Sequence, residues 1–312
     1  MDPFADYRHC ALCPRDCKRD RVKGVLGFCG ESSICRVSFI GPHFGEEPSF
    51  TGVRGSGTIF FSGCSSQCFF CQNYQISIEH EGRTITPSEL LFEARSLIRK
   101  GVHNLNFVTP DHFWPHIQEL CRALREEGIK IPMLFNCSGY QRPEKIREYA
   151  AWMDIFLPDF KFAEPELAQV CMGDERYPEL ALEAIHEMVR AKGFLRPWDV
   201  TGNQVAKQGV LVRHLVLPGH TENSLKVLRT LYKEFGPEIP LSVMSQFRPV
   251  PGCEKKQKLT RTLQTEEYGQ VLGLVRELGF EKVYTQELRE EAAFLPDFRD
   301  PVNPFPGNRR GS

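Results

Sequence analysis

The stretch GCSSQCFFCQNYQIS, residues 63–77, holds Cys64, Cys68 and Cys71 at the spacing C-x3-C-x2-C. Thiols clustered this closely bind metal more often than they pair as disulfides in a reducing compartment. A structural zinc wants four closed ligands, and ferredoxin-type clusters take four cysteines. Three thiolates in one loop therefore suggest an iron-sulfur cluster with one iron left open for chemistry. A zinc site completed by a distant His or Cys, or part of a redox disulfide, are the alternatives. A second set lies upstream in CALCPRDCKRDRVKGVLGFC, as Cys10, Cys13, Cys17 and Cys29, with Cys35 as a substitute ligand. Charge and turn formers around these residues cannot build a core, which argues for a bound metal, either structural zinc or an auxiliary 4Fe-4S cluster, with a purely structural thiol group as the alternative. Cys121, Cys137, Cys171 and Cys253 are scattered and read as core or near-surface thiols.

The elements that position the central loop begin with the β-rich run SGTIFFSG, which leads directly into it. Thr86, Pro87 and Glu89 then spell a capped helix start, with Leu90, Leu91, Ala94, Leu97 and Ile98 on one face and Gly101 as its stop. A strand NLNFVT and a helix opened by Thr109-Pro110 follow. Strands IPMLFN, DIFLPDF, VLVRHLVLP and PLSVMSQF are spaced by helical segments near 143–151, 178–192 and 222–235, with a last helix near 266–278 and a short strand KVYTQ. Alternation of this kind gives parallel strands with crossover helices, and polar residues at every strand end favour a barrel, where such ends share one face. A full eight-unit barrel needs about 250 residues. The expected fold is therefore α/β, an incomplete (β/α)6 barrel over 56–290. A cysteine-rich metal-stapled extension over 1–55 precedes it, and a loosely draped tail over 291–312 follows. His43, Glu46 and Glu47 in HFGEEP are expected to close the barrel mouth or to form an exposed acidic turn.

The chain has 312 residues, 41% of them hydrophobic, enough for a core of this size. Its 39 basic and 40 acidic side chains leave a formal charge of -1, which gives no electrostatic case for a nucleic-acid or membrane-surface partner. No run of about 18 apolar residues is present, and the start MDPFADYRHC lacks a signal-peptide layout, so a cytoplasmic location is expected.

With Phe70 just before the last cysteine and the loop at the end of the first strand, the pattern resembles the signature of the radical S-adenosylmethionine (SAM) enzymes. The resemblance implies that Cys64, Cys68 and Cys71 hold a 4Fe-4S cluster whose fourth iron takes SAM. One electron then releases methionine and a 5′-deoxyadenosyl radical that removes hydrogen from a C-H bond. CQN, NCSG, PDFK and VRHLVLPG are similar to the pyruvate formate-lyase activating enzyme branch, which implies an oxidoreductase with a flavodoxin- or ferredoxin-type electron donor and a protein, peptide or smaller substrate. FVTPDH departs from the Gly-Gly-Glu turn of many relatives, so Thr109 and Pro110 must receive the ligand's amino group differently.

On this reading Phe70 lies against the adenine, and Asn136 and Ser138 hydrogen-bond the ribose or methionine part. Asp159 and Lys161 alternate with Phe160 and so point into the barrel, paired with a ligand or with each other. Arg213 clamps a carboxylate or faces outward. Gln246, Arg248 and Tyr284 are candidate substrate contacts, and His112, Trp114, His116 and His220 stand near the same strand ends. The competing reading is a non-catalytic metal-binding or electron-transfer protein with both cysteine groups closed.

Overall fold

A computed structural model describes residues 2–288 and 295–305. Strand β1 (Arg36–His43) runs into one helical turn, α1 (Pro48–Thr51), and returns antiparallel as β2 (Ser56–Phe61), with His43 opposite Ser56. After the cysteine loop come α2 (Tyr74–Ser77) and β3 (Arg83–Thr84), which pairs back onto β1. Strands and helices then alternate through α3 (Pro87–Arg99), β4 (Leu105–Val108), α4 (Trp114–Glu126), β5 (Met133–Cys137), α5 (Pro143–Ala150) and β6 (Ile155–Pro158). Two helices follow, α6 (Pro165–Met172) and α7 (Tyr177–Lys192), then the short β7 (Gly209–Val210) and β8 (Val212–Leu215). The last elements are α8 (Thr221–Phe235), β9 (Leu241–Met244), α9 (Pro251–Lys256), α10 (Thr265–Glu277) and β10 (Val283–Thr285).

One sheet has the order β3-β1-β2-β4-β5-β6-β7 and the other β10-β9-β8. A parallel bridge between Asp159 and Arg213 joins them. Every pairing from β2 round to β10 is parallel. Among the described residues β10 pairs only with β9, so the arc stays open between β10 and β1, as a partial barrel must.

Side-chain alternation sorts the strands into two layers. Ile59, Phe61, Leu105, Phe107, Phe135, Phe156, Val212 and Val243 join the main core with Leu90, Ile117, Leu124, Tyr149, Ile185 and Leu228 of the surrounding helices. The opposite parity faces the barrel interior. There Leu134, Ile155, Leu157 and Leu211 pack on Phe50 of α1 as a floor. Because β1 runs down and β2 up, the segment between them lies at the N-terminal end of the strands. The residues His43, Glu46 and Glu47 therefore belong to this floor and not to the mouth or to an exposed turn. The side chains of Glu46 and Glu47 are only 6% and 7% exposed.

The sequence-based strands and helices coincide with elements of the structure, and two features were not expected. Strand β1 carries part of the N-terminal extension into the barrel sheet, across the boundary drawn at 55. Helix α6 fills the stretch after PDFK. The tail drape, over residues 295–305, lies against the arc: Phe298 N donates to Gln75 Oε1 at 2.7 Å, and the Phe298 ring packs on inward-facing Phe60 and Val108. The rest of that tail lies outside the described residues. Among the described residues no helix is long and apolar enough to cross a membrane.

Thr86 caps α3 as the sequence indicates: its Oγ1 accepts from Glu89 N at 3.3 Å while its own N donates to Glu89 Oε2 at 2.8 Å. Thr86→Ala is expected to lower stability by about 1 kcal/mol, read as a lower urea midpoint at unchanged m-value.

Candidate active site

The loops that follow β2, β4, β5 and β6 meet on one face of the arc. At the start of the cysteine loop Gly63 has φ +79°, and a side chain there would meet Glu31 Cγ at 2.6 Å and Cys29 O at 2.8 Å. Only glycine lets the loop pass this close to the N-terminal segment. Cys64 N in turn donates to Cys29 O at 3.4 Å. Arg15, from CPRDC, clamps the loop from above: its guanidinium donates to Ser65 O at 3.0 Å, Gly173 O at 2.9 Å and Met172 O at 2.5 Å. Sequence reasoning missed this residue, since nothing in its spacing reports carbonyls beyond α6.

Cys64 and Cys68 are buried and Cys71 is half-buried. Ser66 N donates to Cys64 Sγ at 3.3 Å, and Cys71 N to Cys68 O at 3.1 Å, which closes the loop into a turn. Burial, helped by the neighbouring Cys71 and Asp111, pushes the Cys64 thiol up to about 12. Burial also drives Cys68 well above the ordinary thiol range, against the pull of the Lys161 ammonium, and raises Cys71 against the Ser77 hydroxyl. Three thiols that feel one another's charge in a buried loop become thiolates together only when a cation takes them together.

Facing them, Thr109 holds φ +53°, a left-handed conformation that a β-branched residue rarely adopts, and its N donates to Asn136 O at 2.9 Å. Two positions on, Asp111 is 1% exposed; Ser65 Oγ donates to its Oδ2 at 2.8 Å, while among the described residues Oδ1 makes no contact of full hydrogen-bond geometry. Burial raises this carboxyl to about 6. Beside it the Gln141 side chain, also 1% exposed, opposes that rise, although among the described residues neither its Nε2 nor its Oε1 makes a contact of full hydrogen-bond geometry. Neither residue stood out in the sequence, because their burial depends on the two loops meeting.

After β5, Ser66 Oγ donates to Ser138 Oγ at 2.9 Å, which ties the NCSG turn to the cysteine loop. Gly139 has φ +77°, and a side chain there would strike Asp159 O at 2.0 Å. Tyr177 OH bridges the same neighbours, donating to Ser138 O at 2.9 Å and Asp159 O at 3.0 Å. Lys161 forms an ion pair with Asp159, the internal pairing left open by the sequence, and lies within Coulomb reach of Cys68 and Cys71. Phe70 sits edge-on to Phe162, at 6.2 Å between ring centroids, and tilted toward Phe247.

Arg213 and Asn136 are committed elsewhere. Arg213 Nε donates to Glu47 Oε1 at 2.8 Å and its Nη2 to Glu47 Oε2 at 2.6 Å, with a further ion pair to Glu46. Asn136 Nδ2 donates to Glu46 Oε1 at 3.2 Å, and Asn106 Nδ2 to the same oxygen at 2.9 Å. The arginine does clamp carboxylates, but they are the chain's own. Tyr284 OH is spent on Asp199 O at 2.9 Å, and Gln246 Nε2 on Gln72 Oε1 at 3.1 Å. His112 Nε2 contacts Ser62 O at 2.7 Å, and burial pulls its pKa down to about 3, so it is neutral; His116 pairs with Tyr7 OH at 2.8 Å.

Residues 58–231 match the family model of the radical SAM superfamily. The chain belongs to the radical SAM superfamily. An uncharacterized protein of Methanocaldococcus jannaschii is 25% identical over 285 residues, covering 89% of this chain and 77% of that protein. Among solved structures, HydG, a maturase of the [FeFe]-hydrogenase, is 15% identical with a TM-score of 0.49 and coverage of 76% of this chain and 51% of its own. Methylornithine synthase (PylB) gives 14%, 0.46, 73% and 70% in the same order, and SuiB of Streptococcus suis 12%, 0.49, 73% and 48%. The chain thus spans about half the length of HydG and SuiB. As a radical SAM protein it works with a 4Fe-4S cluster and SAM. The chain's donors fit both groups: three soft thiols on one loop match a cluster with an open iron, and the Asp111 oxygen and Gln141 amide, buried without full hydrogen bonds, match a charged, hydrogen-bonding ligand.

Proposed function

We propose that this chain cleaves SAM reductively at the loop of Cys64, Cys68 and Cys71 and removes a hydrogen atom from a protein, peptide or small-molecule substrate, in the manner of an activating enzyme. When bound, the cluster supplies the low-potential electron that splits the sulfonium and leaves a 5′-deoxyadenosyl radical. The observation that carries the reading is the three-thiol turn at the C-terminal end of β2, buried beside Lys161 and an Asp111 oxygen that lacks a full hydrogen bond.

Cys64, Cys68 and Cys71 would hold the cluster. Asp111, oriented by Ser65, would accept at Oδ1 from the ammonium group of SAM, taking the role first sought at Thr109, whose left-handed backbone lies two positions before it. Ser138 offers a hydroxyl beside the loop, and Phe70 an apolar wall for adenine. Lys161, held by Asp159, offsets thiolate charge. Arg213 and Asn136 instead build the polar floor beneath. A cleft of about 450 Å³ flanks the loop, lined by Phe69, Leu167, Cys171, Pro218, His220 and Lys258, and offers a substrate or a flavodoxin- or ferredoxin-type donor an approach. The test is anaerobic reconstitution of the full chain with iron and sulfide, then strong reductant and SAM. Release of 5′-deoxyadenosine and methionine is expected; bound iron with SAM left intact refutes the reading.

A further inference from the structure

Ahead of the barrel, Arg21 is 0% exposed. Its guanidinium donates to Glu31 O at 3.1 Å, Ser32 O at 2.7 Å and His112 O at 2.6 Å, and stacks over the rings of Tyr7 and Phe113 at 4.6 and 5.5 Å. Among the described residues no carboxylate lies within ion-pair distance of it. The buried Asp111 carboxyl reaches it only through space, so a cation whose direct partners are carbonyls and ring faces is only partly compensated, which is costly. What does surround it is sulfur. Arg21 Nη1 points at Cys10 Sγ at 3.6 Å, and the bare face of Gly27 looks onto Cys29 Sγ, Arg21 Cδ and Cys17 Sγ at 3.2, 3.5 and 3.7 Å from an added Cβ. Buried Cys13 feels the charges of Cys10 and Cys29.

The backbone is folded for this arrangement. Lys18 N donates to Cys10 O at 3.0 Å and Asp16 N to Cys13 O at 3.1 Å, with Asp16 and Lys18 at φ +43° and +55°. Gly27 N donates to Glu31 O at 3.0 Å and Gly30 N to Gly27 O at 3.0 Å. Two tight turns thus bring Cys10, Cys17 and Cys29 close to one guanidinium, with Cys13 on the first of the turns. Among the described residues no three Cys, His, Asp or Glu side chains already form a group that could hold one ion, so closure there requires rotation of the thiols.

We propose that Cys10, Cys13, Cys17 and Cys29 ligate a metal centre of their own, distinct from the Cys64 loop, part of whose excess thiolate charge is offset by buried Arg21. Zinc and a 4Fe-4S cluster share this chemistry, because four thiolates leave either one dianionic. The centre is a positioning device: Cys29 O receives the amide of Cys64, so the turn it staples abuts the catalytic loop.

The test uses the full chain carrying Cys64→Ala, Cys68→Ala and Cys71→Ala, so that it is independent of the function proposed above. Metal analysis is expected to find about one zinc or about four irons per chain. Zinc is then identified by cobalt substitution, through its intense sulfur-to-metal charge-transfer absorption, and iron by Mössbauer spectroscopy. Adding Cys13→Ser or Cys17→Ser should abolish retention, and Arg21→Met should speed loss to a chelator at least tenfold, with circular dichroism confirming the fold. A folded triple variant without metal, or metal that survives Cys13→Ser and Cys17→Ser together, overturns the proposal. Unchanged chelator kinetics in folded Arg21→Met overturns the role of the arginine.

Discussion

The Cys68→Ala variant is expected to lose the iron of the central loop and to lower 5′-deoxyadenosine formation by at least about 100-fold, since removing even outer partners of a metal site costs 10–100-fold. Cys68 is the buried middle thiol, flanked by Cys64 and Cys71, and its charge is relieved by Lys161. With it gone, two thiols on one turn cannot hold a cluster against solvent or chelator. Cys121→Ala is the control. That thiol is 0% exposed within the helical core of α4, away from the loop, so its loss should reduce stability modestly and leave iron content unchanged. Equal iron in both variants would remove the basis for assigning the loop.

Arg213→Met is expected to destabilise the fold by about 3–5 kcal/mol, the cost of removing one partner from a buried ion pair. The guanidinium is the common partner of Glu46 and Glu47, whose side chains are both buried. Burial alone would raise the pKa of Glu46, but Arg213, with His43 behind it, holds it below the ordinary glutamate value. The sign follows. In the native protein this contribution is in force above the unfolded glutamate range and fades as pH falls through the lowered folded value. In Arg213→Met, burial of Glu46 is no longer opposed by the guanidinium, that carboxylate takes up a proton at higher pH, and stability should recover on mild acidification. Urea unfolding at two pH values checks this. A combined Glu46→Gln, Glu47→Gln and Arg213→Met chain should regain much of the loss, which separates ion pairing from packing.

The strand and helix alternation was legible because the periods of 2 and 3.6 are strong from Ser56 onward, and capping residues such as Thr86 mark the starts. Strand β1 escaped notice because RVSFIGPH carries Gly41 and Pro42 and its burial does not alternate cleanly. Helix α6, PELAQVCM, buries Leu167, Ala168, Cys171 and Met172 but is only about two turns long, too short for its period to stand out in the sequence. At the site, the cysteines were legible from spacing and the inward aim of Asp159 and Lys161 from strand parity. The partners of Arg213 were not, because Glu47 lies 166 positions upstream. Asp111 and Gln141 become conspicuous only when folding buries them and leaves their polar atoms short of full hydrogen bonds.

The gap between β10 and β1 has a mechanical meaning. A ring of strands closed all the way round has a girth fixed by its hydrogen-bond ladder, whereas here the final stave is missing. Against β1 and β2, on one side of the gap, lies a strip of the same chain, set by the Phe298 ring against Phe60 and by the Phe305 ring, 4.3 Å from His43. The enclosed volume can therefore swell or shrink along that seam without parting one pair of strands.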